Sequence, residues 1–231
     1  MDPADLYRGQ SGHQYHDHKR AVPEVALPWV MESRAAKFQP HIRPADTVLE
    51  FGVGSGWNLA RLRCARKIGC DAADFLRERV LAAGAEFIRD TSSVPVGSID
   101  VVICHHALEH VLEPAACLAS FRNLLRPGGK LILHVPWEHE RRYGRYDPAE
   151  PNHHLYTWNA QTLGNLVTVC GFSLETVRVL IYGYDRAAAS LAARLGLGPG
   201  GFRIIRKCLI ALFPLREVEL IGQNPLPGPK K

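Results

Sequence analysis

Val48-Leu49-Glu50-Phe51-Gly52-Val53-Gly54-Ser55-Gly56-Trp57-Asn58-Leu59 is the stretch whose reading decides the fold. A short apolar strand ends in a carboxylate, turns through three glycines spaced by one residue, and runs into a helix expected to begin near Asn58. Glycine tolerates positive φ and lets the backbone approach a ligand closely, while the unpaired N–H groups at a helix start face the same space. The stretch reads as a nucleotide site.

Its spacing separates two ligand classes. A dinucleotide fingerprint, GxGxxG, needs a glycine at position 57 for close helix–strand packing, and this chain has Trp57 there. Glu50 also argues against a pyrophosphate, because a carboxylate at the strand end repels a diphosphate held beside the turn. A cationic ligand suits it better.

Leu49 to Gly56 resembles motif I of the class I S-adenosylmethionine-dependent methyltransferases. The resemblance implies S-adenosyl-L-methionine as cofactor, whose sulfonium and ammonium account for an acid at Glu50. It places Gly52, Val53, Gly54, Gly56 and Asn58 around that cofactor. It also implies a Rossmann-like α/β sheet of seven strands in the order 3-2-1-4-5-7-6, strand seven antiparallel, with helices on both faces.

Downstream, Arg66 to Asp71 reads as a second strand. The end of strand two lies beside the glycine turn, so an acid about 20 residues past it accepts both ribose hydroxyls. Asp71, with Ala72 beside it, stands there, and Asp74 reads as an N-cap or first-turn acid of a helix from Phe75 to Ala83. A third strand, Ala85 to Asp90, leads into Thr91-Ser92-Ser93-Val94-Pro95. By resemblance, Asp90 accepts a hydrogen bond from the adenine amino group and the Thr91 N–H reads the ring.

Ser98 to Cys104 is nearly all apolar, as a strand covered on both faces should be. His105-His106-Ala107-Leu108-Glu109-His110-Val111, a helix, Arg126-Pro127-Gly128-Gly129 and a fifth strand from Lys130 to Pro136 follow. This run, from Asp100 through the Leu-Glu-His triplet to the Pro-Gly-Gly turn, carries the resemblance most strongly. It places His105 with the cofactor. His106 to His110 also spells HxxEH, a zinc-hydrolase signature, which requires the segment to lie within a helix and a third ligand downstream. A strand-to-helix junction explains both flanks better, so no metal is assigned.

Residues 137–158 follow strand five, at the carboxyl edge where open α/β sheets bind ligands, and are expected to hold the acceptor through Tyr143, Tyr146, Asn152, His153 and Trp158. A hydroxyl acceptor needs a base with a pKa near working pH. His106 is the first candidate and His154 the second. A non-catalytic cofactor-binding protein is the remaining alternative.

At 231 residues and 46% hydrophobic, the chain suffices for one α/β domain with additions. Residues 1–45 read as a helical lid, with Tyr15, His16 and Arg20 as candidates to reach the cofactor's carboxylate. Residues 46–224 form the methyltransferase domain, and 225–231 a disordered tail. The start is acidic and polar, and no apolar run reaches 18 residues, so the expected location is cytoplasmic. Six cysteines without a CxxC pair read as buried thiols.

Residues 176–231 hold nine Lys or Arg against three Asp or Glu, so the basic excess belongs to the end of the chain. That modest excess argues against nucleic acid. Methyl transfer to O, N or C of a small-molecule, saccharide or lipid-linked acceptor suits the rest, an amine needing no strong base. An insert at 186–216 reads as a helix from Arg186 to Leu197, a break at Gly198-Pro199-Gly200-Gly201, and a second helix from Phe202 to Phe213. The apolar stripe through Phe202, Ile205, Leu209 and Leu212, flanked by Arg203, Arg206 and Lys207, leaves two readings open: peripheral membrane contact, or a homodimer or internal packing contact through 202–213.

Overall fold

The computed structural model describes residues 7–9, 12, 22–137, 144–147 and 152–227. Helix α1 spans Leu27–Phe38, and strands β1 Thr47–Phe51, β2 Arg66–Cys70 and β3 Glu86–Ile88 follow, with helix α2 at Arg77–Ala82. Then come β4 Ile99–His105, α3 Pro114–Leu124, β5 Leu125–Pro136, α4 Ala160–Val169, β6 Ser173–Tyr182, α5 Asp185–Arg194, α6 Gly198–Leu212 and β7 Leu215–Gln223. The seven strands form one sheet in the order β3-β2-β1-β4-β5-β7-β6. The first five pair in parallel, and β7 enters antiparallel between β5 and β6. This is the expected order.

Alternation along each central strand builds a core on both faces. In β4, Val102 and Cys104 join Leu118, Phe121 and Leu163, whereas Val101 and Ile103 join Phe38, Val53 and Val80. A third cluster lies outside the sheet. There Ala26 and Val30 near α1 meet Ala188, Ala189 and Ala192 of α5 and Phe202 of α6. The small residues of α5 let the helices approach closely, so the insert and the N-terminal helix cover one another.

Four details depart from expectation. The helix expected near Asn58 is a single turn, in which the Gly56 carbonyl accepts from the Leu59 and Ala60 N–H groups. Only residues 57–65 separate the glycine turn from β2, too few for a helix of average length and the return to the sheet. Gly198 to Gly201 do not break a helix but open α6, because Pro199 occupies its first turn, where a missing N–H costs nothing. Of the cysteines, only Cys70 and Cys104 are buried, and Cys208 is exposed. Phe202 is buried against the insert's own partners, while Ile204, Leu212 and Phe213 stay 66%, 69% and 61% exposed. Tyr15, His16, Arg20, Tyr143 and the end of the expected tail lie outside the described residues. No helix among the described residues is long and apolar enough to cross a membrane.

Candidate functional site

Two cavities open at the carboxyl ends of the parallel strands and meet at Gly52, His106 and His110, which line both. The first, of about 570 Å³, is walled by Phe51, Asp71, Ala72, Asp90, Thr91 and Phe121 among others. The second, of about 980 Å³, lies between α1, the insert and the ends of β5, β6 and β7.

The glycine turn is shaped by backbone demands. Gly52, Gly54 and Gly56 have φ of 70°, 55° and 73°, and a Cβ on Gly52 would stand 2.5 Å from that of Ala107. Asp71 pins this turn to β2. Its carboxylate accepts the Gly54 N–H at 2.8 Å and the Ala73 N–H at 3.0 Å, and the residue lines the narrower cavity. Asp90 caps the turn that follows it, accepting from the Ser92 hydroxyl and from the Ser92 N–H at 2.8 Å, and these bonds hold its carboxyl below the usual range. Thr91 lies beside Ser120 on the same wall. Burial pushes the Cys70 and Cys117 thiols up to about 12, so they wall this cavity as neutral groups.

Glu50 is fully buried behind Asn58, whose amide donates to its carboxylate. Arg34 of α1 reaches Asn58 Oδ1 at 3.4 Å, lies over the Trp57 ring at 5.4 Å, and comes within 3.7 Å of Asp185, which also holds Arg206. The residue that replaced the third glycine thus becomes part of the wider cavity's wall. It ties the glycine turn to the N-terminal helix and insert.

Beside the junction sits a buried charged network. His106 leaves β4 in the left-handed region at φ 52°, a conformation that costs a non-glycine residue energy and marks an imposed position. Its N–H donates to the His134 carbonyl at 2.8 Å, and its Nε2 lies 3.0 Å from Glu217 Oε2. Glu217, 1% exposed on β7, also meets Lys37 Nζ at 2.6 Å and His134 Nδ1 at 3.3 Å. Burial alone would raise its carboxyl, but His106, His134 and Lys37 outweigh it and hold Glu217 ionised far below the usual range. Burial lowers His134 to about 4 and, with the neighbouring Lys37 and His106, takes His105 well below its ordinary value. Lys37 is lowered by burial despite Glu217. His105 lines the wider cavity, with Nε2 3.1 Å from Lys37 Nζ.

Of the expected acceptor residues, Asn152 and His154 line the wider cavity. Trp158 lines neither cavity; it is buried in the core with Leu163 and stacks on Tyr156. Tyr146 is 92% exposed and His153, at φ 52°, is exposed; neither lines these two cavities. Glu109 and His110 form one 3-10 turn with Leu108 rather than part of an α-helix, so HxxEH does not present two histidines on one helical face. Lys37, His134 and Glu217 went unrecognised as site residues. The available signals were His134 inside an apolar strand and the alternating acids Glu217 and Glu219 in β7, since charged residues are rarely buried unless paired.

A family model described as a methyltransferase domain matches residues 19–177. A ubiquinone biosynthesis O-methyltransferase of Xanthomonas axonopodis pv. citri is 33% identical over 125 residues, covering 48% of this chain and 52% of that one. A tRNA U34 carboxymethyltransferase of Pseudoalteromonas translucida is 28% identical over 156 residues, covering 57% of this chain and 48% of that one. The chain thus spans about half the length of these curated relatives. Among solved structures, a SAM-dependent methyltransferase from Methanosarcina mazei superposes with a TM-score of 0.60 at 18% identity, over 83% of this chain and 98% of that one. At that identity the likeness speaks for the fold.

Proposed function

Because the chain belongs to the methyltransferase-domain family, whose cofactor is S-adenosyl-L-methionine, we propose that it methylates a hydroxyl oxygen of a small-molecule, saccharide or lipid-linked acceptor. The observation that carries the reading is the position of His106, strained at the strand end, lining both cavities, and backed by the ionised Glu217.

The residues present fit the cofactor. Gly52 lines both cavities at positive φ, where a side chain would run into Ala107; Asp71 offers a carboxylate to ribose hydroxyls, and Asp90 and Thr91 line the narrower cavity, where the adenine would lie. Asn58, backed by Glu50 and Arg34, serves the amino-acid end, with α1 as the lid. When bound, the cofactor supplies an electrophilic methyl on a sulfonium, and holding donor and acceptor in near-attack geometry contributes about 7–11 kcal/mol.

His106 then has one task. With its Nε2 proton committed to Glu217, Nδ1 carries the lone pair that takes the acceptor's proton. The buried carboxylate fixes the tautomer and stabilises the imidazolium that forms. The wider cavity, bounded by Asn152, His154, Tyr182 and Tyr184, receives the acceptor. Incubation with methyl-labelled cofactor and fractionated cell extract tests this reading: a labelled methyl ether is expected, while label exclusively on a carboxylate, nitrogen or carbon, or no label in any fraction, contradicts it.

A further inference from the structure

Among the described residues, two groups bring three metal-ligating atoms within 4.8 Å of one another: His105, His106 and Glu217, and Glu109, His110 and His154. The first already holds a cation. Lys37 Nζ lies 2.6 Å from Glu217 and 3.1 Å from His105 Nε2, so an ammonium stands where a metal ion would sit. We propose that the second group binds one divalent cation of the zinc class, with an open position that takes the acceptor's oxygen. The cation site rests on geometry alone, and the role given to its open position rests on the methyl-transfer reading.

Hydrogen bonding sets the ligand atoms. The Tyr7 hydroxyl donates to the Asn152 carbonyl at 3.1 Å, so its oxygen is left to accept from His110 Nδ1 at 2.8 Å. In the Nδ1-protonated tautomer this contact selects, the Nε2 lone pair is the His110 atom offered to the cation, the arrangement that outer partners impose on metal-binding histidines. That Nε2 lies 3.9 Å from Glu109 Oε1, and His154 Nε2 lies 4.0 Å from the same oxygen. Bonds of about 2.1 Å at a tetrahedral angle place ligand atoms roughly 3.4 Å apart. A contraction of about half an ångström along each histidine–glutamate distance, together with closure of the histidine–histidine separation from within 4.8 Å, completes the set by side-chain rotation.

The scaffold is prepared for this. The Glu109 carbonyl accepts the N–H groups of Leu155 and Tyr156 at 2.9 and 3.3 Å, and the Tyr156 hydroxyl donates to the Leu112 carbonyl at 2.8 Å. These bonds staple the segment carrying His154 onto the turn carrying Glu109 and His110. Glu109 is 1% exposed, and its buried carboxylate beside two imidazoles makes a donor set that favours a zinc-type ion over magnesium or calcium. Two histidines and one glutamate, with a fourth position open, is a catalytic rather than a structural set. Because all three residues line the wider cavity and His110 lines both, the open position lies near His106. An alcohol or phenol bound there loses its proton more readily. The HxxEH segment thus contributes Glu109 and His110 to a cation site, while His106 remains with Glu217.

Titration of the full chain with Co²⁺, followed by its visible ligand-field absorption and by displacement with Zn²⁺, tests the site. One cobalt per chain is expected, retained in His106→Ala and weakened at least 100-fold in His110→Gln and in His154→Gln. Thermal unfolding reports whether each variant is folded, and His154→Gln, on the stapled segment, decides if His110→Gln is not. No stoichiometric cobalt, or cobalt held equally well by folded His154→Gln, overturns the proposal. Calorimetry with S-adenosylhomocysteine separates the two readings. Cofactor binding without cobalt refutes the cation site alone, and cobalt bound through His154 without cofactor binding refutes the methyltransferase reading alone.

Discussion

His106 Nε2 stands 3.0 Å from Glu217 Oε2, although 111 residues separate them in the chain. The pairing depends on β7 entering antiparallel beside β5, which sets Glu217 opposite Pro136 and Glu219 opposite His134. The sheet's one reversal thus delivers a buried carboxylate to the end of β4. A parallel seventh strand would present its other end there.

Removing the base separates chemistry from binding. His106→Ala should lower kcat by at least about 100-fold while leaving the S-adenosylhomocysteine dissociation constant within about twofold. Glu217→Gln should also lower kcat without changing the KM for cofactor, because its carboxylate orients the imidazole and does not touch the cofactor. Steady-state kinetics beside calorimetry gives both numbers, and a loss confined to cofactor binding would count against the role of His106.

Asp71→Ala should affect two properties, since the carboxylate both faces the ribose end of the narrower cavity and holds the Gly54 and Ala73 N–H groups. Cofactor affinity should fall by about 10-fold to 100-fold, and stability by about 1–3 kcal/mol. Parallel calorimetry and urea unfolding measure the pair. Lost stability with unchanged affinity would make Asp71 purely a fastener of the turn.

Acid should unfold the protein earlier than its exposed carboxylates alone require. The folded His134 value of about 4 lies below the ordinary 6.5, so the unfolded chain takes up the proton first. The folded state keeps its full stability above about pH 6.5 and loses it as pH falls toward 4. Glu217, depressed when folded, adds stability that is present above its ordinary value near 4.5 and is lost as pH falls below it. Both contributions have the same sign. Urea unfolding at about pH 7 and pH 5 should differ by about 2 kcal/mol from His134 alone, and His134→Gln should flatten that slope. Equal stability at the two values would contradict the buried neutral imidazole.

How much of this was legible follows from the range of the interactions. The order of the strands could be read because the glycine turn, the buried parallel strands and the Pro-Gly-Gly turn are each local patterns. Asp71, Asp90 and His106 sit at strand ends, where the parallel sheet assigns places in advance. Lys37, His134 and Glu217 could not be paired in advance, since their meeting joins α1, β5 and β7. Trp158 follows His154 in an aromatic segment and resembled an acceptor contact, yet its ring completes the core against Leu163. Composition does not distinguish those two uses of a tryptophan. Pro199 read as a breaker because the sequence shows its missing N–H and not that the residue opens a helix.

The outer face of α6 carries its own expectation. Ile204, Leu212 and Phe213 are exposed beside Arg203 and Lys207, whereas Arg206 is engaged with Asp185. Anionic vesicles should sediment the protein in a salt-sensitive way, neutral vesicles should not, and Arg203→Glu with Lys207→Glu should abolish it. A dimer by light scattering without vesicle binding would assign the face to a second copy.

Calorimetric titration with S-adenosylhomocysteine and, separately, NAD tests the central claim most directly. The account predicts one S-adenosylhomocysteine site per chain, abolished by Gly54→Leu, and no heat from NAD, because Glu50 and Trp57 occupy the places where a pyrophosphate site needs neutrality and a third glycine. Binding of NAD without binding of S-adenosylhomocysteine would contradict it.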